Sequence, residues 1–153
     1  MRIPKLIPIL ALLLFGASTN IDAQCKAFAK KVCLPELGAY VHDGNYHAAI
    51  LVEGEEAELY KTFYSDMEYR VAVLGEDKLP AVEFKVIDAN KNVLFSNNNN
   101  GTYAKTWDFR LQSSQQLKLV VNVTSFNKSG EIPAHGCVAI MFGFKTDNNK
   151  SRK

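Results

Sequence analysis

Leu117-Lys118-Leu119-Val120-Val121-Asn122-Val123 decides the fold. Leu117, Leu119, Val121 and Val123 recur at every second position, with Lys118, Val120 and Asn122 between them. An extended chain turns successive side chains to opposite faces, so this segment predicts a strand with one buried face. The same period continues outward. Trp107, Phe109 and Leu111 alternate with Asp108 and Arg110; Val82, Phe84 and Val86 alternate with Glu83 and Lys85. Tyr69, Val71 and Val73 alternate with Arg70, Ala72 and Leu74 before Gly75, and Ala57, Leu59, Lys61 and Phe63 share one face of residues 57–64. Residues 48–52 form a short apolar run ending at Glu53-Gly54. Downstream, residues 137–144 are nearly all apolar, which predicts a strand buried on both faces.

The punctuation between these segments is that of hairpins. Asp88-Ala89-Asn90-Lys91-Asn92 has turn composition and leads into Val93-Leu94-Phe95. Residues 97–101 read as a polar loop tip, with Asn100-Gly101 the strongest turn dipeptide of the chain. About eight strands follow, with no helix between them. Each has an apolar face to hide, so residues 39–145 are expected to form an all-β, antiparallel two-sheet β-sandwich, jelly-roll-like. The last strand should be central and the hairpin at residues 88–92 peripheral. A short N-terminal helix is expected over residues 25–33, within a helical segment spanning 24–38. Cys25, Phe28, Ala29 and Val32 follow helical spacing there, Lys26, Lys30 and Lys31 face away, and Pro35 is expected to stop it. Residues 146–153 read as a disordered polar tail.

Residues 1–23 have the layout of a secretory signal peptide. Arg2 and Lys5 give a positive start, residues 6–15 an apolar core, and residues 16–23 a small, polar end. The cut is expected after Ala23. The rival is a lipoprotein acylated at Cys25, but Gln24 stands where such signals need a small residue. Removing the signal leaves 130 residues with 16 basic and 15 acidic side chains, a charge of +1. That balance argues against nucleic acid as a partner, which would demand a basic face. No second apolar run reaches membrane length, so no transmembrane segment is expected after processing.

Three cysteines allow at most one intramolecular disulfide. Cys33 with Cys137 would close a loop of about 105 residues, contributing about 4–5 kcal/mol in the chain-entropy model. Cys25 with Cys33 would give about 2.5 kcal/mol. That pair would also have to span about 12 Å along a helix. Cys33–Cys137 is therefore the expected pair, and the leftover thiol permits a disulfide-linked dimer. The alternative is three free thiols, with Cys137 simply buried.

The run Tyr69-Arg70-Val71-Ala72-Val73, then residues 82–95 with Asp88-Ala89-Asn90-Lys91-Asn92, then Trp107-Asp108-Phe109, residues 117–123 and Gly136-Cys137-Val138-Ala139-Ile140 resembles a known kind of module. It is similar to the jelly-roll sandwiches of the bacterial pre-peptidase C-terminal and GOLD-like type. The likeness covers about residues 55–145 and rests on strand periodicity plus one turn. It implies an accessory or binding sandwich, and it carries over no catalytic residue.

Candidate chemistry is sparse. His42, Asp43 and His47, with His135 or Cys137, are the candidate metal ligands, but Asp43-Gly44-Asn45 between the two histidines is turn composition. His135 and Cys137 would share a strand face, yet a thiol opening so apolar a strand is normally inert. Asp88-x-Asn90-x-Asn92 opens like a calcium loop, but Val93 and Asn99 occupy the places that need Gly and Glu. Tyr103 and Trp107 flank an Asn-rich loop and are the candidate ligand-binding residues, as a sugar platform, although alternation puts Trp107 with Phe109 and Leu111. No metal and no cofactor is expected. The reading is a small secreted or periplasmic bacterial β-sandwich, a non-enzymatic binding or accessory module for an unknown protein or glycan partner. The alternatives are a carbohydrate-binding module and a small hydrolase whose residues meet only in space.

Overall fold

The computed structural model describes residues 21–126 and 130–146. The signal-like residues 1–20 and the tail from residue 147 onward lie outside them. Helix α1 (Ile21–Phe28) runs on through a π-helical turn (Ala29–Cys33) and a 3₁₀ turn (Leu34–Leu37). It therefore begins before the expected cut and outlasts Pro35, which was expected to end it. Proline is tolerated in a first helical turn, where its missing N–H has no partner to lose. Gly38, at φ 55°, ends the segment and donates to the Pro35 carbonyl at 3.1 Å.

Eleven strands follow among the described residues. They are β1 (Val41–His42), β2 (His47–Val52), β3 (Glu56–Phe63), β4 (Met67–Gly75), β5 (Val82–Ile87) and β6 (Val93–Ser96). Then come β7 (Asn98–Asn99), β8 (Thr102–Tyr103), β9 (Thr106–Arg110), β10 (Gln115–Val123) and β11 (His135–Thr146). The eight segments with strand period are β2 to β6 and β9 to β11. Thr146 belongs to β11 rather than to a tail. The protein is an all-β antiparallel sandwich with one short N-terminal helix, and no helix among the described residues is long and apolar enough to cross a membrane.

One sheet has the order β1-β11-β4-β9, with β2 also on β11; the other is β3-β10-β5-β6. β11 is central, as its composition predicts. β4 pairs along one side, while β1 (Val41↔Phe144) and β2 (Val52↔His135) share the other. The β5–β6 hairpin is peripheral. Asp88 shapes its turn: Oδ1 accepts the backbone N–H of Asn90 and Asn92 at 2.9 and 2.8 Å, and Oδ2 accepts the Asn92 amide at 2.9 Å. These oxygens organise a turn rather than a calcium loop. Asn100 and Gly101, at φ 52° and 83°, make the β7–β8 turn.

Two cores sit on either side of the β4–β11 pair. Between the sheets lie Phe63, Phe84, Phe142, Leu117, Leu119 and Val121, all essentially sealed from solvent. On the outer face, Ala29, Cys33, Leu37 and Tyr40 pack on Ala72, Leu74, Ala139 and Met141. The helical segment is thus a third layer, and it explains why β11 has no polar face. Gly143 lets that layer approach, because a Cβ there would stand 2.6 Å from the Tyr40 Cβ. Tyr40 is further fixed by its hydroxyl, which donates to Glu68 and to Asp108 (3.1 Å), and by Arg70 and Lys145, 4.6 and 4.0 Å from its ring centre.

The expected Cys33–Cys137 bridge is replaced by Cys25–Cys137, with Cα atoms 5.2 Å apart and a sequence separation of 112. Cys25, Ala29 and Cys33 lie on one buried helical face, so both thiols point at the β4–β11 layer. Cys25 reaches Cys137, while Cys33 lies over the carbonyls of Ala72 (3.6 Å) and Ala139 (3.7 Å). The tie between N-terminal segment and last strand holds, but through the other cysteine. A Cys25 sulfur bonded to Cys137 is not available for acylation. The leftover thiol is Cys33, fully buried, so it offers no surface sulfur for a disulfide-linked dimer.

Candidate functional site

A two-sheet sandwich has two long flanks where the edge strands of its sheets meet. Here they differ. On the β6–β9 flank the Phe95 and Trp107 rings stack across the sheets, centres 4.9 Å apart and planes 12° apart. Trp107 also stacks on Phe109 at 4.4 Å. Behind them Asn97 is buried: its Oδ1 accepts the Phe84 N–H at 2.7 Å, and its Nδ2 donates to the carbonyls of Val82 (3.0 Å) and Ala104 (3.1 Å). The two sheets are bridged here by partly buried aromatic rings.

The β2–β3 flank is open. β2 pairs only with β11 and β3 only with β10, so each is an edge, and the turn at residues 53–55 joins them across the sandwich. Ala49 and Ala57 are too short to fill the space between these edges. A hollow of about 370 Å³ remains, reaching Leu51, Leu59 and Ile140. A second hollow of about 220 Å³ lies further along, floored by Met67, Tyr69 and Phe142. An ion pair stands beside it: Lys61 Nζ of β3 meets Asp43 Oδ2, from the loop after β1, at 2.7 Å. The same ammonium lies 4.9 Å from the Phe142 ring centre.

Electrostatics fit this half-buried bridge. Burial alone would raise the Asp43 carboxyl, but hydrogen bonds from Lys61 and the Asn45 N–H outweigh it and hold the group below its ordinary value. Burial pushes the His47 imidazole down, and its ring lies edge-on to Phe142 at 5.7 Å. His42 bonds through Nε2 to the Asn45 carbonyl at 3.0 Å, serving the turn. Among the described residues no three His, Cys, Asp or Glu side chains converge as around a metal ion. Cys137 is bonded, and burial, with the nearby Glu36 charge, pushes the Cys33 thiol up to about 12. Neither sulfur is a nucleophile at neutral pH.

The sequence-derived sugar residues are not brought together as a platform. Trp107 is partly buried against the core, its ring stacked on Phe95 and Phe109. Tyr103 is half-buried on the wall of a different hollow of about 330 Å³, beside Leu79 and Lys105. Sequence reasoning missed the open flank. Its signal was the small Ala49 and Ala57 and the charge pattern of residues 41–60, where Asp43, Glu53, Glu55, Glu56 and Glu58 occur without a lysine or arginine. On β3 the outward residues Glu56, Glu58, Tyr60 and Thr62 are all exposed.

No family model matches the chain, and no curated protein matches its sequence. Among solved structures it is similar to PliG of Aeromonas hydrophila, a periplasmic inhibitor of g-type lysozyme. That match has a TM-score of 0.49 and 10% identity, covering 70% of this chain and 89% of that one. A de novo designed double-stranded β-helix matches with a TM-score of 0.31 and 14% identity, covering 66% of this chain and 99% of that one.

Proposed function

We propose that this chain is an exported, non-enzymatic binding protein whose partner is a protein. The observation that carries this reading is the contrast between the flanks: Phe95 and Trp107 stack across one, while no such stack bridges β2 and β3, whose edges stand open over apolar hollows. Unpaired edges offer main-chain donors and acceptors, the groups by which proteins add strands to one another. Export is supported by the layout of residues 1–23 and by the Cys25–Cys137 bridge, since such bonds persist in oxidising compartments. A glycan-binding role finds less support, because the single tryptophan already has its ring stacked on Phe95 and Phe109.

The test is site-specific photo-crosslinking in the native host, with the reactive residue placed at exposed Tyr60 or, as control, at exposed Asn99. A discrete protein adduct from position 60 and none from 99 is expected. Absence of an adduct from position 60, or a glycan-array signal lost in Trp107→Phe, would overturn the reading.

A further inference from the structure

We propose that the free edge of β3 accepts an extended segment of a protein partner as an added strand, one that alternates basic and apolar residues. This rests on the reading of the chain as a protein-binding module and names the surface and the chemistry it selects. β3 is an eight-residue edge strand that keeps unbroken register with β10 from Glu56↔Asn122 to Phe63↔Gln115. Of the devices that usually blunt an edge, residues 56–60 lack proline, bulge and lysine, and carry only the charges of Glu56 and Glu58.

The strand already paired with β3 shows what its other side would select. β10 sets Leu119 and Val121 opposite Leu59 and Ala57 on the inner face, and on the outer face its Lys118 Nζ meets Glu58 Oε1 at 2.8 Å. An added strand would meet the same alternation. Its inward side chains would enter the hollow beside Ala57 and Leu59, which two edge strands leave open. Its outward side chains would lie beside the exposed carboxylates of Glu56 and Glu58, the second of which already meets a lysine from the strand on its other side. Opposite charges across neighbouring strands favour pairing. Inward-pointing Lys61, held by Asp43, ends the usable edge, so pairing is confined to residues 56–60.

A second copy of this chain does not fit. Antiparallel β3 against β3 over residues 56–60 would set Glu58 against Glu58, which opposes pairing. Among the described residues the other edge strands β1, β2 and β6 carry no lysine or arginine, and in β9 Asp108 accompanies Arg110. The fitting occupant is therefore a different protein with a basic–apolar extended segment.

The experiment uses the disulfide-bonded mature chain, isotope-labelled, and ten-residue synthetic peptides. One peptide alternates Lys and Val, one alternates Glu and Val, and one has the Lys–Val composition in blocks. The alternating Lys–Val peptide is expected to bind and to slow amide exchange within residues 56–60. The E56K/E58K double variant, with both sites exposed and its fold checked by circular dichroism, should bind it about tenfold more weakly. Equal binding by the double variant, equal binding of the Glu–Val or block peptide, protection at β2, β6 or β9 instead, or no binding would overturn the proposal. A crosslink from position 60 that survives while the peptides fail would reject strand addition and leave the protein-binding reading standing.

Discussion

The ring of Trp107 on β9 lies 4.9 Å from that of Phe95 on β6, and the two strands belong to different sheets. This stack closes one flank by dispersion and apolar burial rather than by hydrogen bonds. Trp107→Ala should therefore cost about 3 kcal/mol, and Trp107→Phe less, since it keeps a ring against Phe95 and Phe109. Urea unfolding followed by far-UV circular dichroism measures this, because the substitution removes the chain's single tryptophan.

Asn97 gives a sharper test. Its amide satisfies the Phe84 N–H and the carbonyls of Val82 and Ala104, and the residue is 3% exposed. Asn97→Ala leaves those groups unpartnered and should cost about 2–3 kcal/mol. Asn97→Asp should behave differently with pH. An ionised carboxylate would face two carbonyl oxygens, so its folded pKa would be raised. Protons then bind the folded state preferentially, and the variant should gain stability relative to wild type as pH falls through that raised value. A parallel pH dependence of the two proteins would refute this account.

The cysteine pattern can be read chemically. Without reductant the folded protein should leave Cys33 unmodified by a thiol reagent, the unfolded protein should show one thiol, and the reduced, unfolded protein three. Cys25→Ser should cost about 4–5 kcal/mol through the long loop it releases. Cys33→Ala should cost about 1 kcal/mol, a buried small group lost. Equal losses from the two would contradict the assignment.

Two of the shifted groups act on the acid side of the stability profile in separable ways. Burial holds His47 below its ordinary 6.5, so the unfolded chain takes a proton there first. Stability should begin to fall as pH drops below about 6.5, and His47→Gln should flatten that slope. Glu76 is held below its ordinary 4.5, first by the Cys137 N–H, which donates to Oε2 at 2.9 Å. Its contribution is present above about 4.5 and is lost as pH falls through the depressed folded value. Glu76→Gln should remove part of that lower loss. Chemical denaturation at intervals between neutral pH and acid would separate the two slopes.

Gly143→Ala should loosen the helical layer while leaving the inter-sheet core in place. The new Cβ would meet the Tyr40 Cβ at 2.6 Å, and displacing backbone-anchored atoms in a packed layer costs about 1–3 kcal/mol. Faster proteolysis near residues 38–40 than in wild type is the expected readout.

The sandwich was legible because its signal is local. A period of two in Leu117, Leu119, Val121 and Val123 states which face is buried without reference to any other segment. The apolar run of β11 likewise foretold a strand covered on both sides, although not that a helix supplies the second cover. What failed depends on relations between segments. Cys25 and Cys33 share one helical face, so spacing alone could not choose between them. Asn97 is the first of four consecutive asparagines and reads as loop; its burial depends on Phe84 and Ala104 arriving from elsewhere. The open flank required knowing that β2 and β3 are both edges, and no single strand reveals that.

β11 is made last, yet it pairs with β1, β2 and β4 and carries Cys137. Every long-range partnership of its sheet except β4 with β9 waits for it. Completion of this sheet is therefore gated by its most C-terminal strand. The β3-β10-β5-β6 sheet has all its pairings within residues 56–123 and can assemble without β11, whereas β1, β2 and β4 must wait for residues 135–146 to align them, and the Cys25–Cys137 bond waits with them.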